Sequence, residues 1–118
     1  MWFSEPNTKI FLYTKPCDMR KSFAGLSVLV KHTLQENPVS GHYFVFINRR
    51  KNQTKILYFD RSGYCIWSKR LEQGQFNIGA VSGEKVILDG TRLKMILEGL
   101  QAQEIRQFKR FNLPQNKV

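Results

Sequence analysis

Seven cationic side chains, Arg49, Arg50, Lys51, Lys55, Arg61, Lys69 and Arg70, fall between Tyr43 and Arg70 with a single acid, Asp60, among them. Guanidinium and ammonium groups at that density suit the charge-assisted binding of phosphate oxygens along a polyanion. Arg20 and Lys21 add two cations at an expected helix start, where positive charge works against the helix dipole and free backbone amides favour an anion. These nine residues are the candidate nucleic-acid contacts. Edge protection and solubility account for a basic turn such as Arg49-Arg50-Lys51 taken alone. They account less well for an excess that continues through Lys55, Arg61, Lys69 and Arg70.

The other reactive groups do not assemble into a catalytic set. No pair among the nine carboxylates has acid-base or metal-ligand spacing. Asp18 and Thr91 read as helix caps, Asp60 and Asp89 as turn formers. A metal-dependent nuclease built from Asp60 and distant acids is the weakest of the readings. His32 and His42 lie in different elements, and His42 after Ser40-Gly41 is expected to orient a strand entry. Cys17 and Cys65 lack CxxC spacing and read as reduced thiols. The phosphate-cradling GxxxxGK pattern is missing. The expectation is therefore a non-enzyme without catalytic residues, metal ligands or cofactors.

Charge over the whole chain follows the local picture, with 19 Lys and Arg against 9 Asp and Glu for a formal net charge of +10. Such a balance describes partners and solubility and says nothing of fold. A content of 42% hydrophobic residues in 118 suffices for one core. The apolar runs are far shorter than the roughly 18 residues of a membrane span. The start, Met1 to Pro6, has no basic and apolar stretch of the secretion type. A cytoplasmic protein is expected, nucleoid-associated if it binds DNA.

The elements that must position these cations are legible as patterns. Lys9 to Tyr13, Tyr43 to Ile47, Lys55 to Phe59, Tyr64 to Arg70 and Val86 to Leu88 read as strands. Met19, Phe23, Leu26, Val30 and Leu34 form one apolar stripe that predicts a helix from about Met19 to Glu36. Leu93, Ile96, Leu97 and Leu100 predict a shorter helix from about Thr91, capped by Thr91. In the hairpin Asp60-Arg61-Ser62-Gly63, Gly63 is the residue expected to take a positive φ. Alternation groups Ile56, Tyr58, Tyr64 and Ile66 on one face, and Leu57, Phe59, Cys65 and Trp67 on the other. Large aromatics in such strands are expected mainly in the core. The fold class is thus α+β, an antiparallel meander sheet packed against one long helix with a shorter C-terminal helix. Residues 1–100 are expected to form the single domain and 101–118 a basic C-terminal extension carrying Arg106, Lys109, Arg110 and Lys117.

Several segments taken in order resemble a known family. They are Asp18-Met19-Arg20-Lys21-Ser22-Phe23-Ala24-Gly25-Leu26, Ser40-Gly41-His42-Tyr43-Phe44-Val45-Phe46 and Asn48-Arg49-Arg50. The block from Lys55-Ile56-Leu57-Tyr58 through Asp60, Gly63, Trp67, Lys69-Arg70-Leu71-Glu72 and Gly74 to Phe76 follows, then Leu93 to Leu100. Together, over about residues 8 to 100, they resemble the TnpB accessory protein of the IS sixty-six group of insertion sequences, which is distinct from the RNA-guided nuclease of the same name. The resemblance implies a protein encoded beside a DDE-type transposase that assists movement of the element without being the strand-transfer enzyme. Ser22 stands where the family usually has glycine and Gln75 where arginine is common, which puts Gln75 in doubt as a phosphate contact.

The function expected is that of a non-catalytic DNA-binding accessory protein of transposition. Arg20, Lys21, Arg49, Arg50, Lys51, Lys55, Arg61, Lys69 and Arg70 are its contacts to duplex phosphates at element ends. The alternative is a protein-interaction module that binds the cognate transposase through apolar sheet residues, without direct DNA contact.

Overall fold

All five apolar runs pair into one sheet in the computed structural model, which describes residues 7–99. The elements are β1 (Ile10–Tyr13), α1 (Phe23–His32), β2 (Tyr43–Ile47), β3 (Gln53–Asp60), β4 (Gly63–Arg70), β5 (Lys85–Leu88) and α2 (Gly90–Glu98). The sheet order is β4-β3-β2-β1-β5. Leu100 and the segment expected as a basic extension lie outside the described residues.

The class is α+β, but the sheet is mixed and is not an antiparallel meander. Strands β2, β3 and β4 form the expected hairpins, while β1 runs parallel to β2, with Ile10 opposite Tyr43, and antiparallel to β5, with Ile10 opposite Leu88. A parallel pair needs a crossover connection, and α1 supplies it. The reason lies in β1 itself. Ile10, Phe11 and Leu12 are all buried, so this strand must be covered on both faces and takes an interior place between β2 and β5.

Each face of the sheet carries its own core. On one, Phe11, Phe44, Phe46 and Leu57 pack with Leu26, Val30 and Leu34 of α1 and the turn after it. On the other, Leu12, Val45, Ile56 and Phe76 pack with Leu93 and Ile96 of α2. The facing sets across β3 and β4 differ from simple alternation. The register places Tyr58 opposite Cys65 and Ile56 opposite Trp67, so Tyr58 and Trp67 share the α2 face while Tyr64 and Ile66 join Leu57 on the α1 face. A two-residue loop pairs even positions with odd ones, which inverts β4 relative to a continuous count.

The long helix shrinks to the 10 residues of α1. Asp18 does not cap it. The Asp18 carboxylate accepts from the Arg20 amide at 2.9 Å and its carbonyl from the Lys21 amide at 3.1 Å, closing a separate turn ahead of the helix. Ser22 occupies the N-cap without a side-chain bond, and Phe23 is 46% exposed, so the buried stripe starts at Leu26. At the far end Gln35 takes φ 56 and folds the chain back, returning the Glu36 amide to the Val30 carbonyl at 3.0 Å. At α2 the cap is Asp89, not Thr91: its carboxylate accepts from the Arg92 amide at 2.7 Å. In the β3–β4 hairpin the left-handed residue is Arg61, φ 51, because the first position of a two-residue loop needs the positive φ. Gly63 lies in the strand, outside that region.

Candidate nucleic-acid interface

The β2–β3 turn is built almost entirely by Asn48. Its side-chain Oδ1 accepts from the amides of Asn52 and Gln53, both at 3.0 Å, and its Nδ2 donates to the Asn52 side chain at 2.8 Å. Its carbonyl also accepts from the Lys51 amide at 3.0 Å. Lys51 is held at φ 59, a left-handed conformation that these bonds enforce. A second layer buttresses the turn from the loop after β4. The Phe76 amide donates to the Lys51 carbonyl at 2.7 Å, the Leu71 amide to the Asn52 carbonyl at 2.7 Å, and the Gln75 side chain to the Arg50 carbonyl at 3.1 Å. Arg49, Arg50 and Lys51 are exposed on this frame and form no ion pair among the described residues. Gln75, read from the sequence as a lost charge, is a support for the basic turn.

Strand directions decide what joins that turn. The C-terminal ends of β1, β2 and β4 and the start of β3 lie at one edge of the sheet, since Gln53 pairs with Arg70 and Leu12 runs beside Val45. The Cys17 amide donates to the Ile47 carbonyl at 2.9 Å, which brings the segment from Asp18 to Lys21 to the same pole. Lys15, Arg20, Lys21, Arg49, Arg50, Lys51 and Arg70 thus share one end of the molecule. Lys15 was not singled out from the sequence. It precedes Pro16, which cannot donate to a strand ladder, and only the parallel pairing of β1 with β2 sets it beside Asn48.

Not all nine sequence candidates are equivalent there. Lys55 lies on the α1 face of β3 and donates its Nζ to the Lys21 carbonyl at 2.8 Å, tying the Asp18–Lys21 turn to the sheet. Lys69 lies on the α2 face and donates to the Leu97 carbonyl at 2.8 Å, at the C-terminal end of α2, where a cation also complements the helix dipole. Arg20 is bonded to Asp18 at 2.7 Å and Arg70 lies 3.6 Å from Glu72. With the Arg20 guanidinium donating to it, Asp18 is lowered from 3.8 to about 2. Both pairs are on the surface, with 92% of the Arg20 side chain exposed, so a phosphate can compete with either carboxylate.

Arg61 is separated from the rest. It sits in the β3–β4 loop, at the opposite end of an eight-residue strand from Gln53, a span of about 23 Å at about 3.3 Å per residue. The signal for this was present in the sequence, because successive hairpins place their tips at alternate ends of a sheet. Asp60, the acid of the weakest reading, is at that same distant pole. Among the described residues no three His, Cys, Asp or Glu side chains come together as a metal-holding group. His42 accepts the Lys9 amide on its Nδ1 at 3.0 Å, joining the entries of β1 and β2. Tyr58 and Trp67 pack against the α2-side core, Tyr64 against the α1-side core, and Phe59 meets Tyr64 edge-on at 5.2 Å.

A cleft of about 400 Å³ opens at the basic pole between the segment after β1, the β2–β3 turn and the loop following Phe76. Lys15, Arg49 and Lys51 line it together with Ile47, Ile78 and Val81, and no acidic side chain contributes to its walls.

Comparison with known proteins places residues 8–107 in the family described as IS66 Orf2 like protein. Two relatives come from Sinorhizobium fredii (strain NBRC 101917 / NGR234). The chain is 31% identical to the uncharacterized protein y4hO over 97 residues, 82% of this chain and 84% of the relative. It is 28% identical to the uncharacterized protein y4jC over 99 residues, 84% of this chain and 85% of the relative. No solved structure matches. The chain belongs to the IS66 Orf2-like family, a family of transposition accessory proteins.

Proposed function

We propose that this IS66 Orf2-like protein assists transposition as a non-catalytic DNA-binding protein, holding duplex phosphates at its basic pole. The observation that carries the reading is the Asn48-built turn, which presents Arg49, Arg50 and Lys51 without an acidic partner among the described residues. Cations fixed on a rigid turn lose less conformational freedom on binding than cations on a mobile loop. Lys15 and Lys21 extend the surface, and Arg20 and Arg70 join it by exchanging a carboxylate for a phosphate. Lys55 and Lys69 contribute charge from tethered positions. Arg61 stands apart from this footprint. Residues 101–118 add Arg106, Lys109, Arg110 and Lys117 to the charge available for DNA.

Element-end DNA is the proposed ligand, and the cognate transposase the proposed partner in the same complex. The rival reading, docking on the transposase by apolar contact alone, has less support. Among the described residues, the exposed large apolar side chains Phe23, Val28, Val39, Ile87 and Met95 are distributed over α1, a loop, the edge strand β5 and α2. The test is a binding titration on element-end and scrambled duplexes across a salt series, with and without transposase. Affinity that collapses with salt on both duplexes supports phosphate contact. Negligible binding at low salt, with transposase still captured by the Arg49/Arg50/Lys51 triple alanine variant after nuclease treatment, assigns the role to protein contact instead.

A further inference from the structure

We infer that the cleft beside the basic turn receives the terminal, unpaired nucleotide of a DNA strand together with its phosphate, so that the protein distinguishes a strand end from the body of a duplex. The inference rests on the DNA-binding reading and adds a ligand class to it. Its first ground is size. At about 400 Å³ the cleft is at the lower end of the 300–1,000 Å³ range of small-ligand sites. A duplex, whose major groove alone is about 12 Å wide, can lie across the mouth but cannot enter.

The second ground is the distribution of chemistry within the cleft. Lys15, Arg49 and Lys51 supply cationic groups for a phosphate, whereas Ile47, Ile78 and Val81 form an apolar wall on which a phosphate makes no favourable contact. A nucleotide satisfies both halves at once, its phosphate on the cations and its base against the aliphatic side chains, the arrangement by which extruded bases are held elsewhere. The third ground is that the site is fixed in advance. Asn48 locks one wall through its own side-chain bonds, and the Arg92 guanidinium donates to the Ile78 carbonyl at 2.9 Å, anchoring the other wall to α2.

The experiment compares the full chain on a blunt duplex, on the same duplex with a short single-stranded overhang ending in phosphate, and in competition with a free deoxynucleoside monophosphate. Wild-type protein is expected to bind the overhang about fivefold more tightly than the blunt end, the gain from burying about 40 Å² of apolar surface against the aliphatic side chains. Val81→Trp, which fills the cleft without changing charge, is expected to remove that preference and leave blunt-duplex affinity within about twofold. The wild-type comparison keeps the test decisive even if Val81→Trp fails to fold. Equal affinity for blunt and overhanging DNA overturns the inference and leaves phosphate binding intact. Failure to bind any of the DNAs overturns both readings. Competition by the monophosphate as effective as that by the overhang assigns the cleft to free nucleotides and overturns the strand-end source.

Discussion

Replacing Arg49, Arg50 and Lys51 together by alanine isolates the contribution of the basic turn, and its size follows from which cations are available. Lys15, Lys21, Arg49, Arg50 and Lys51 are at the basic pole, with neither an ion pair nor a side-chain hydrogen bond to a carbonyl among the described residues. If each neutralises one phosphate, about 0.9 counterion is released per contact and log affinity falls with log salt at a slope of about −4.5. Between 50 and 200 mM salt that slope lowers affinity about 500-fold. The triple variant keeps two of the five contacts, so its slope should flatten to about −1.8 and the same salt change should lower affinity only about 12-fold. Arg61→Ala is the control for Arg50→Ala, because each removes one unit of charge, the first from the opposite pole and the second from the turn. Fluorescence anisotropy on labelled duplex across the salt series measures wild type and all three variants. An Arg61→Ala slope as reduced as that of a single turn substitution, or a triple variant with an unchanged slope, refutes the argument that one pole binds DNA.

Further consequences concern the frame that presents these charges. Asn48→Ala removes the one oxygen that accepts from two backbone amides, together with a side-chain pair, in a partly buried turn, and should lower stability by about 2 kcal/mol in urea denaturation while also weakening DNA binding. Asp89→Ala should cost about 1 kcal/mol by uncapping α2, and Thr91→Ala less than about 0.5 kcal/mol, which the same assay resolves. Because Asp18 is depressed from 3.8 to about 2 in the folded protein, its contact with Arg20 contributes above about pH 3.8 and is lost as pH falls through about 2. A carboxyl-detected NMR titration should therefore find the Asp18 midpoint near 2, and Arg20→Ala should move it up toward 3.8.

Strands were legible in the sequence because each is a run of β-branched and aromatic residues bounded by turn formers, and all five formed where the pattern placed them. Their neighbours were not. The burial of Ile10, Phe11 and Leu12 on both faces requires an interior position, but nothing local says that β2 and β5 flank them. Helix ends were misread for a different reason. Asp18 and Thr91 are good capping residues by type, yet Asp18 bonds Arg20 in its own turn and Asp89 reaches the Arg92 amide first. The basic residues themselves were legible as a class. Their division into an available group, a tethered pair and a distant Arg61 depends on strand direction and on carbonyl partners such as those of Lys21 and Leu97, which composition does not record.

That division also explains why a protein with so large an excess of positive charge needs a structured turn. Charge alone attracts DNA wherever it lies on the surface, with no preferred orientation. Orientation requires that a few cations be held in a fixed relation to one another and to a second feature of the ligand. Asn48 supplies the first condition, since its side chain replaces backbone partners that a five-residue turn cannot supply for itself. Gln75 reinforces it with a neutral amide that donates to the Arg50 carbonyl. An added guanidinium at position 75 would increase affinity through charge, whereas the amide stabilises the geometry of three cations already present. On the strand-end inference, the second is met by Ile47, Ile78 and Val81, which line the same cleft as Arg49 and Lys51.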